Sequence, residues 1–126
     1  MITDTHLNEL AKAANQESAI FPNYLARGTT DITAVNTDDT TIDGEIGTRE
    51  DLTGVRTANV VEWSGIFSGA DVQDTSNGDD IGSVGVFNTI TSATTDPLQI
   101  GVAVNGVLQT TNFDVEVITN ITYNRV

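Results

Sequence analysis

Taken two residues at a time, the stretch NFDVEVITNITYNRV (112–126) separates into two faces. Phe113, Val115, Val117, Thr119, Ile121 and Tyr123 fall on one side, and Asp114, Glu116, Ile118, Asn120, Thr122 and Asn124 on the other. A two-residue period is the signature of a half-buried strand, with Phe113, Val115, Val117 and Ile121 facing the core. Ile118 breaks the polar phase and predicts a bulge or a subunit contact. The same rhythm runs through RTANVVEWSGIFSGA (56–70), where Val61, Trp63 and Phe67 share a face opposite Glu62 and Ser64. IGSVGVFNTI (81–90) is a strand punctuated by glycines. In PLQIGVAVNGVLQTTNF (97–113), Ile100, Val102 and Val104 alternate with smaller or polar residues. The Asn105-Gly106 pair between apolar runs predicts a hairpin, because both residues tolerate the positive φ of a type I′ turn.

Only residues 3–15 change the period. Leu7, Leu10, Ala11 and Ala14 recur at helical spacing and form one apolar stripe, with Thr3, Asp4 and Thr5 as candidate N-caps and Asn15 as the end. Three turns alone are marginal in water, so the helix must dock, and Leu7, Leu10 and Ala14 are its expected contact face. IFPNYLARG (20–28) predicts a short strand at an edge or entry position, since Pro22 cannot donate to a ladder. Residues 29–51 are polar and acidic and predict a long surface excursion with room for one short strand. Residues 70–80 and the SATTDP stretch are dense in turn formers. The sum is a mainly β protein, an antiparallel sandwich of jelly-roll type with one short N-terminal helix. It forms a single domain over 1–126, with its sheet mainly from 56–126.

Composition sharpens this picture. Eighteen Asp and Glu oppose five Lys and Arg, for a net charge of −13, and there is no Cys. Disulfides and thiol chemistry are thereby excluded. The absence of a basic patch argues against nucleic-acid partners. No run of 18 apolar residues predicts a membrane span, and MITDTHLNEL has no signal-peptide pattern. Repulsion among this many carboxylates destabilises a compact state in dilute buffer and is largely screened in concentrated salt. A Lys-poor surface rich in Asp and Thr resembles the proteins of extreme halophiles.

Candidate chemistry is sparse. His6 is the one His and is expected to be solvated or capping. Oxygen-rich loops can hold Ca²⁺ or Mg²⁺, which makes Asp71, Asp74, Asp79 and Asp80 weak ligand candidates for a loosely bound ion, together with Asp38, Asp39, Asp43 and Glu45. Neither loop has EF-hand spacing. No resident cofactor is expected, and no nucleophile elbow, P-loop or dinucleotide fingerprint is present, so no enzymatic activity is expected. Glu62 with Glu45 forms no defined glycosidase pair. Trp63 is expected in the core through its phase with Val61 and Phe67, and the Asn120-Ile121-Thr122 sequon is short enough to arise by chance.

The order of the pieces resembles the small virion structural proteins of tailed viruses. YLARG (24–28) is similar to the Y-I-A-L-G that opens many of them. An acidic stretch with Ile42 and Glu45 then leads to Arg49 and to NVVEWSGIFSG (59–69). IGSVGVFNT (81–89) is similar to an E-x-G-L-F segment, although Ser83-Val84 stands where that family often has an acidic residue. The close ITYNRV (121–126) is similar to I-T-I-x-R-V. The resemblance implies a β-sandwich homo-oligomer located in a virion and contacting other virion proteins, as a capsid turret, decoration, neck or tail-tip unit. Joined to the composition, it implies a haloarchaeal host. Contact with host cell-surface glycans or the S-layer is the accompanying expectation.

Overall fold

The computed structural model describes residues 2–17, 22–29, 41–42, 44–88 and 98–124. One helix, α1 (Asp4–Ala14), precedes seven strands: β1 (Tyr24–Gly28), β2 (Glu50–Asp51), β3 (Thr53–Thr57), β4 (Val60–Phe67), β5 (Asp79–Phe87), β6 (Ile100–Gln109) and β7 (Val115–Thr122). The strands form two antiparallel sheets, ordered β2-β1-β5-β6 and β3-β4-β7. The protein is therefore mainly β with a single N-terminal helix. Leu25, Phe67, Ile81, Val84, Val86, Ile100 and Ile121, drawn from both sheets, meet in one buried cluster. Only Leu52 separates β2 from β3, so one chain segment passes from the first sheet to the second and ties that flank.

The second sheet follows the alternation closely. β4 and β7 pair without interruption from Val60↔Thr122 to Phe67↔Val115. Phe67 and Ile121 are buried, while Val61, Trp63, Val115 and Val117 are half-buried against the cluster. The uninterrupted register leaves no bulge at Ile118, and its side chain, 53% exposed, points outward. Phe113 is not a core residue. It precedes β7 in the connection from β6 and is 46% exposed, because pairing begins only at Val115. The predicted single strand over 56–70 is a hairpin, β3 to β4, turning at Ala58 with φ +53°.

The first sheet departs further from expectation, and it carries strand structure well before residue 56. β1 is not an edge: it pairs with β2 on one side and with β5 from Tyr24↔Phe87 to Gly28↔Ser83 on the other. Pro22 lies just outside the paired residues, which removes the conflict with its missing N–H. Asn105-Gly106 makes no hairpin. β6 continues through it, and both halves pair with β5, Ser83↔Ala103 on one side and Ile81↔Val107 on the other. Three β6 residues there oppose the single Gly82, which is a bulge, and Gly106 sits at φ +57°. A bulge uses a left-handed glycine as readily as a turn does, so the dipeptide alone could not separate the two.

Ala26, Gly85 and Gly101 align across the outer face of this sheet. Ile42 and Leu98 lie on it, and a Cβ on Gly85 would come within 2.9 Å of both. Ile42 and Arg49 are buried, so the excursion predicted over 29–51 returns as a cover for the sheet. Its residues 30–40 and 43, with candidates Asp38, Asp39 and Asp43, lie outside the described residues, as do the SATTDP turn, residues 20–21 and Arg125.

Candidate functional site

α1 docks with a face turned roughly a quarter turn from its apolar stripe, so that only Leu10 of the stripe reaches the interior. Leu7 is 52% exposed, Ala11 and Ala14 are exposed and Leu10 is half-buried, whereas Thr3, His6 and Glu9 are buried. Polar partners far along the chain decide this orientation. The Thr3 N–H donates to the Gln99 carbonyl at 2.9 Å, and the Thr3 hydroxyl lies 2.8 and 2.9 Å from the carbonyls of Leu98 and Gln99. The same hydroxyl accepts from the His6 N–H at 3.4 Å and caps the helix. His6, expected to be solvated, is 1% exposed and spans Gln99 Oε1 at 3.1 Å and the Tyr123 hydroxyl at 3.0 Å. The tautomer with the proton on Nδ1 satisfies both contacts, donating to Gln99 Oε1 and accepting from the Tyr123 hydroxyl. Burial raises the Tyr123 pKa and keeps that hydroxyl a donor.

A second polar knot closes the other end of the core. Arg27 follows Leu25 on the inward side of β1 and is 1% exposed. Its Nη1 donates to Gln109 Oε1 at 2.6 Å and its Nη2 to the Asp71 carbonyl at 2.8 Å. Asp79 Oδ2 is 3.6 Å away, and the guanidinium lies 5.0 Å from the centroid of Phe67. Gln109, also buried, donates in turn to the Phe67 carbonyl at 2.6 Å. Arg49 repeats the arrangement on the outer face, bonded to Glu45 at 2.7 and 3.2 Å and stacked 3.6 Å over Phe87. Two of the five cationic side chains are thus consumed inside the fold. The exposed surface is correspondingly poorer in positive charge.

The acidic loop is arranged around its own backbone. Asp79 accepts from the N–H groups of Gln73 and Asp74 at 2.8 and 2.9 Å. Asp74 accepts from the N–H groups of Ser76 and Asn77 and from the Asn77 amide. Asp71 enters through its carbonyl, and Asp80 is exposed on β5. Among the described residues no three His, Asp or Glu side chains converge as metal ligands. The bonds from Asn77 and Ser76 hold the Asp74 carboxyl below the usual carboxylate range. Its stabilising contribution is present above the unfolded-state pKa and is lost as pH falls through the depressed one. A carbon-detected NMR titration should show the Asp74 carboxyl titrating at lower pH in the folded protein than in an unfolded peptide. A midpoint at or above that of an unfolded peptide would remove the turn from the account.

A cleft of about 580 Å³ opens between α1 and the inner face of β3 and β4, lined by His6, Leu10, Leu52, Val61, Trp63 and Tyr123, with Arg56 beside them. Trp63 is half-buried here, sharing the core's edge and the cleft's wall. Its ring lies across Gly54, its partner on β3, where a Cβ would sit 2.5 Å from the ring. Gly54→Val should therefore lift the indole and lower stability by about 1–3 kcal/mol. Trp63 is the sole Trp, so its fluorescence reports the change directly. A red-shifted emission is expected, and an unshifted spectrum would show that the ring does not rest on the glycine.

The remaining feature is an open flank. Among the described residues β7 pairs only with β4, whereas β6 pairs with β5 and, at Ile100, forms an isolated bridge to Ile2. Between and along these edges Val107, Leu108, Phe113 and Ile118 are exposed. The outer face of β3-β4-β7 adds Val55 and Ile66. Periodicity could not reveal this concentration, because it assigns faces within a strand and not which strand ends a sheet. Compared with protein-family models, curated proteins and solved structures, the chain matches none. No described helix is long and apolar enough to cross a membrane.

Proposed function

We propose that the protein is a structural component of a tailed-virus particle from a haloarchaeal host. In this reading it is a two-sheet sandwich that assembles as a homo-oligomeric turret or decoration unit on the capsid surface, with neck, tail-tip or baseplate placement as the alternative. The open flank carries the reading. Among the described residues the β7 edge is unpaired, and this edge with four large exposed apolar side chains within residues 107–118 is a liability for a solitary molecule and a ready contact for an assembled one. Such a role needs shape and burial, with no bond chemistry. The acidic skin supports a salty setting, because counterions would screen repulsion between adjoining copies. The test is particle mass by light scattering in about 2 M KCl, where the Debye length is below about 3 Å. A defined oligomer is expected, and antibody to the folded protein should label purified virions. A strict monomer, or virions that lack the protein, would overturn the proposal.

One observation favours host contact as well. Trp63 and Tyr123 line an apolar cleft beside Arg56, a combination suited to stacking against a sugar face. Saccharides released from the host envelope should then quench Trp63 emission, and unchanged emission at saturating saccharide would remove this role.

A further inference from the structure

We propose that the outer edge of β7 is the seam of a two-fold dimer, with a second copy pairing its own β7 antiparallel about Ile118. This rests on the homo-oligomer reading above and specifies its contact. Exposed edges are commonly blunted by lysine, proline, a bulge or a very short strand. β7 has none of these: it runs eight residues, VEVITNIT, in uninterrupted register with β4. β6, the outer strand of the other sheet, is bridged by Ile2 at Ile100 and broken by its bulge, and is the poorer template.

The partner is a second copy because the edge complements itself. In a two-fold antiparallel pair, residues on the same face oppose one another, so only registers that match like parity are available. Centred on Ile118, the pairing sets Ile118 against Ile118 on the outer face. It places Glu116, the one charged residue of the strand, opposite Asn120. No carboxylate faces a carboxylate, although each copy carries a net charge of −13. On the inner side the half-buried Val115 meets Ile121 and Val117 meets Thr119, so the apolar layer continues across the seam. Ile66, exposed on the same outer face and diagonal to Ile118, extends the apolar surface one strand inward from the seam. The result is one six-stranded sheet, β3-β4-β7 followed by β7-β4-β3 of the second copy. Most of the carboxylates lie outside β7, which carries one of the eighteen.

The chain contains no Cys, so engineered thiols report the register cleanly. Ile118→Cys should form a disulfide-linked dimer on mild oxidation in about 2 M KCl, since directly opposed Cβ atoms lie about 5 Å apart. Glu116→Cys should not, because its own copy would be four residues away along the strand, roughly 13 Å. The double variant Glu116→Cys with Asn120→Cys should cross-link again. Ile118→Lys places two like charges at the dyad and should raise the dimer dissociation constant on the order of 100-fold. Its circular dichroism should be unchanged, because the side chain is exposed in the protomer. An oligomer that persists in Ile118→Lys and gives no cross-link through Ile118→Cys overturns the β7 seam and leaves the homo-oligomer reading standing. A wild-type chain that is monomeric at every salt concentration overturns both.

Discussion

Arg27→Met is expected to lower the free energy of unfolding by about 3–5 kcal/mol, the usual penalty for breaking a buried, hydrogen-bonded charge cluster from one side. Methionine fills much of the volume but donates nothing. The side-chain oxygen of Gln109 loses its donor inside the fold, the carbonyl of Asp71 keeps only the Gln73 amide, and the face of Phe67 loses the guanidinium. Asp79 keeps its two backbone N–H groups and loses the neighbouring positive charge. The presence of a buried ion pair is weak evidence that it stabilises relative to an apolar isostere, so the argument rests on the stranded partners. Urea is the denaturant of choice, because guanidinium would itself screen the acidic surface. Gln109→Ala should cost less, and the two changes together should cost less than their sum, since each strands the other. A midpoint for Arg27→Met within about 0.5 kcal/mol of wild type, the range of surface substitutions, would mean that the knot is ornamental.

The knot also marks where sequence reading stops. Strand rhythm placed Phe67, Val115, Val117 and Ile121 on the correct faces because burial within a sheet repeats every two residues. The helix was legible as a helix, yet its docked face was not. A stripe of Leu7, Leu10 and Ala14 predicts inward apolar contact, but Thr3 and His6 find partners at Gln99 and Tyr123, more than ninety residues away. Satisfying these buried polar groups outweighs the modest gain from a narrow stripe of two leucines and one alanine. Arg27 had one local signal, its position in phase with Leu25, but its partners Gln109 and Asp79 come from other strands. Phe113 failed for a different reason. The alternation runs two residues beyond the point where the ladder begins, because strand ends are set by pairing partners that periodicity does not see. The open flank was invisible for the same cause: strand order is a property of the assembled sheets.

Transfer from about 2 M KCl to about 10 mM salt should cost the wild-type protein a few kcal/mol of stability, a large part of the 5–15 kcal/mol typical of folded domains. Two carboxylates about 10 Å apart repel by roughly 0.4 kcal/mol in unscreened water. With eighteen acids and only five bases, two of them enclosed beside Glu45 and Asp79, close acidic neighbours on the surface have few cations between them. About a dozen such pairs amount to roughly 3–4 kcal/mol when the Debye length is about 30 Å, and to almost nothing at about 3 Å. The unfolded chain spreads the same charges apart, so the difference falls on the folded state. The interior pairs are shielded from solvent ions and should respond little, so salt should move the Arg27→Met and wild-type midpoints in parallel. If the seam at β7 holds, the salt response should also depend on protein concentration, because two acidic copies must approach before their edges pair. Ile118→Lys separates these terms: it should keep the salt dependence of folding and lose the dependence on concentration. A wild-type urea midpoint that stays flat from about 10 mM to about 2 M KCl would remove screening as the condition for this fold, whatever its oligomeric state.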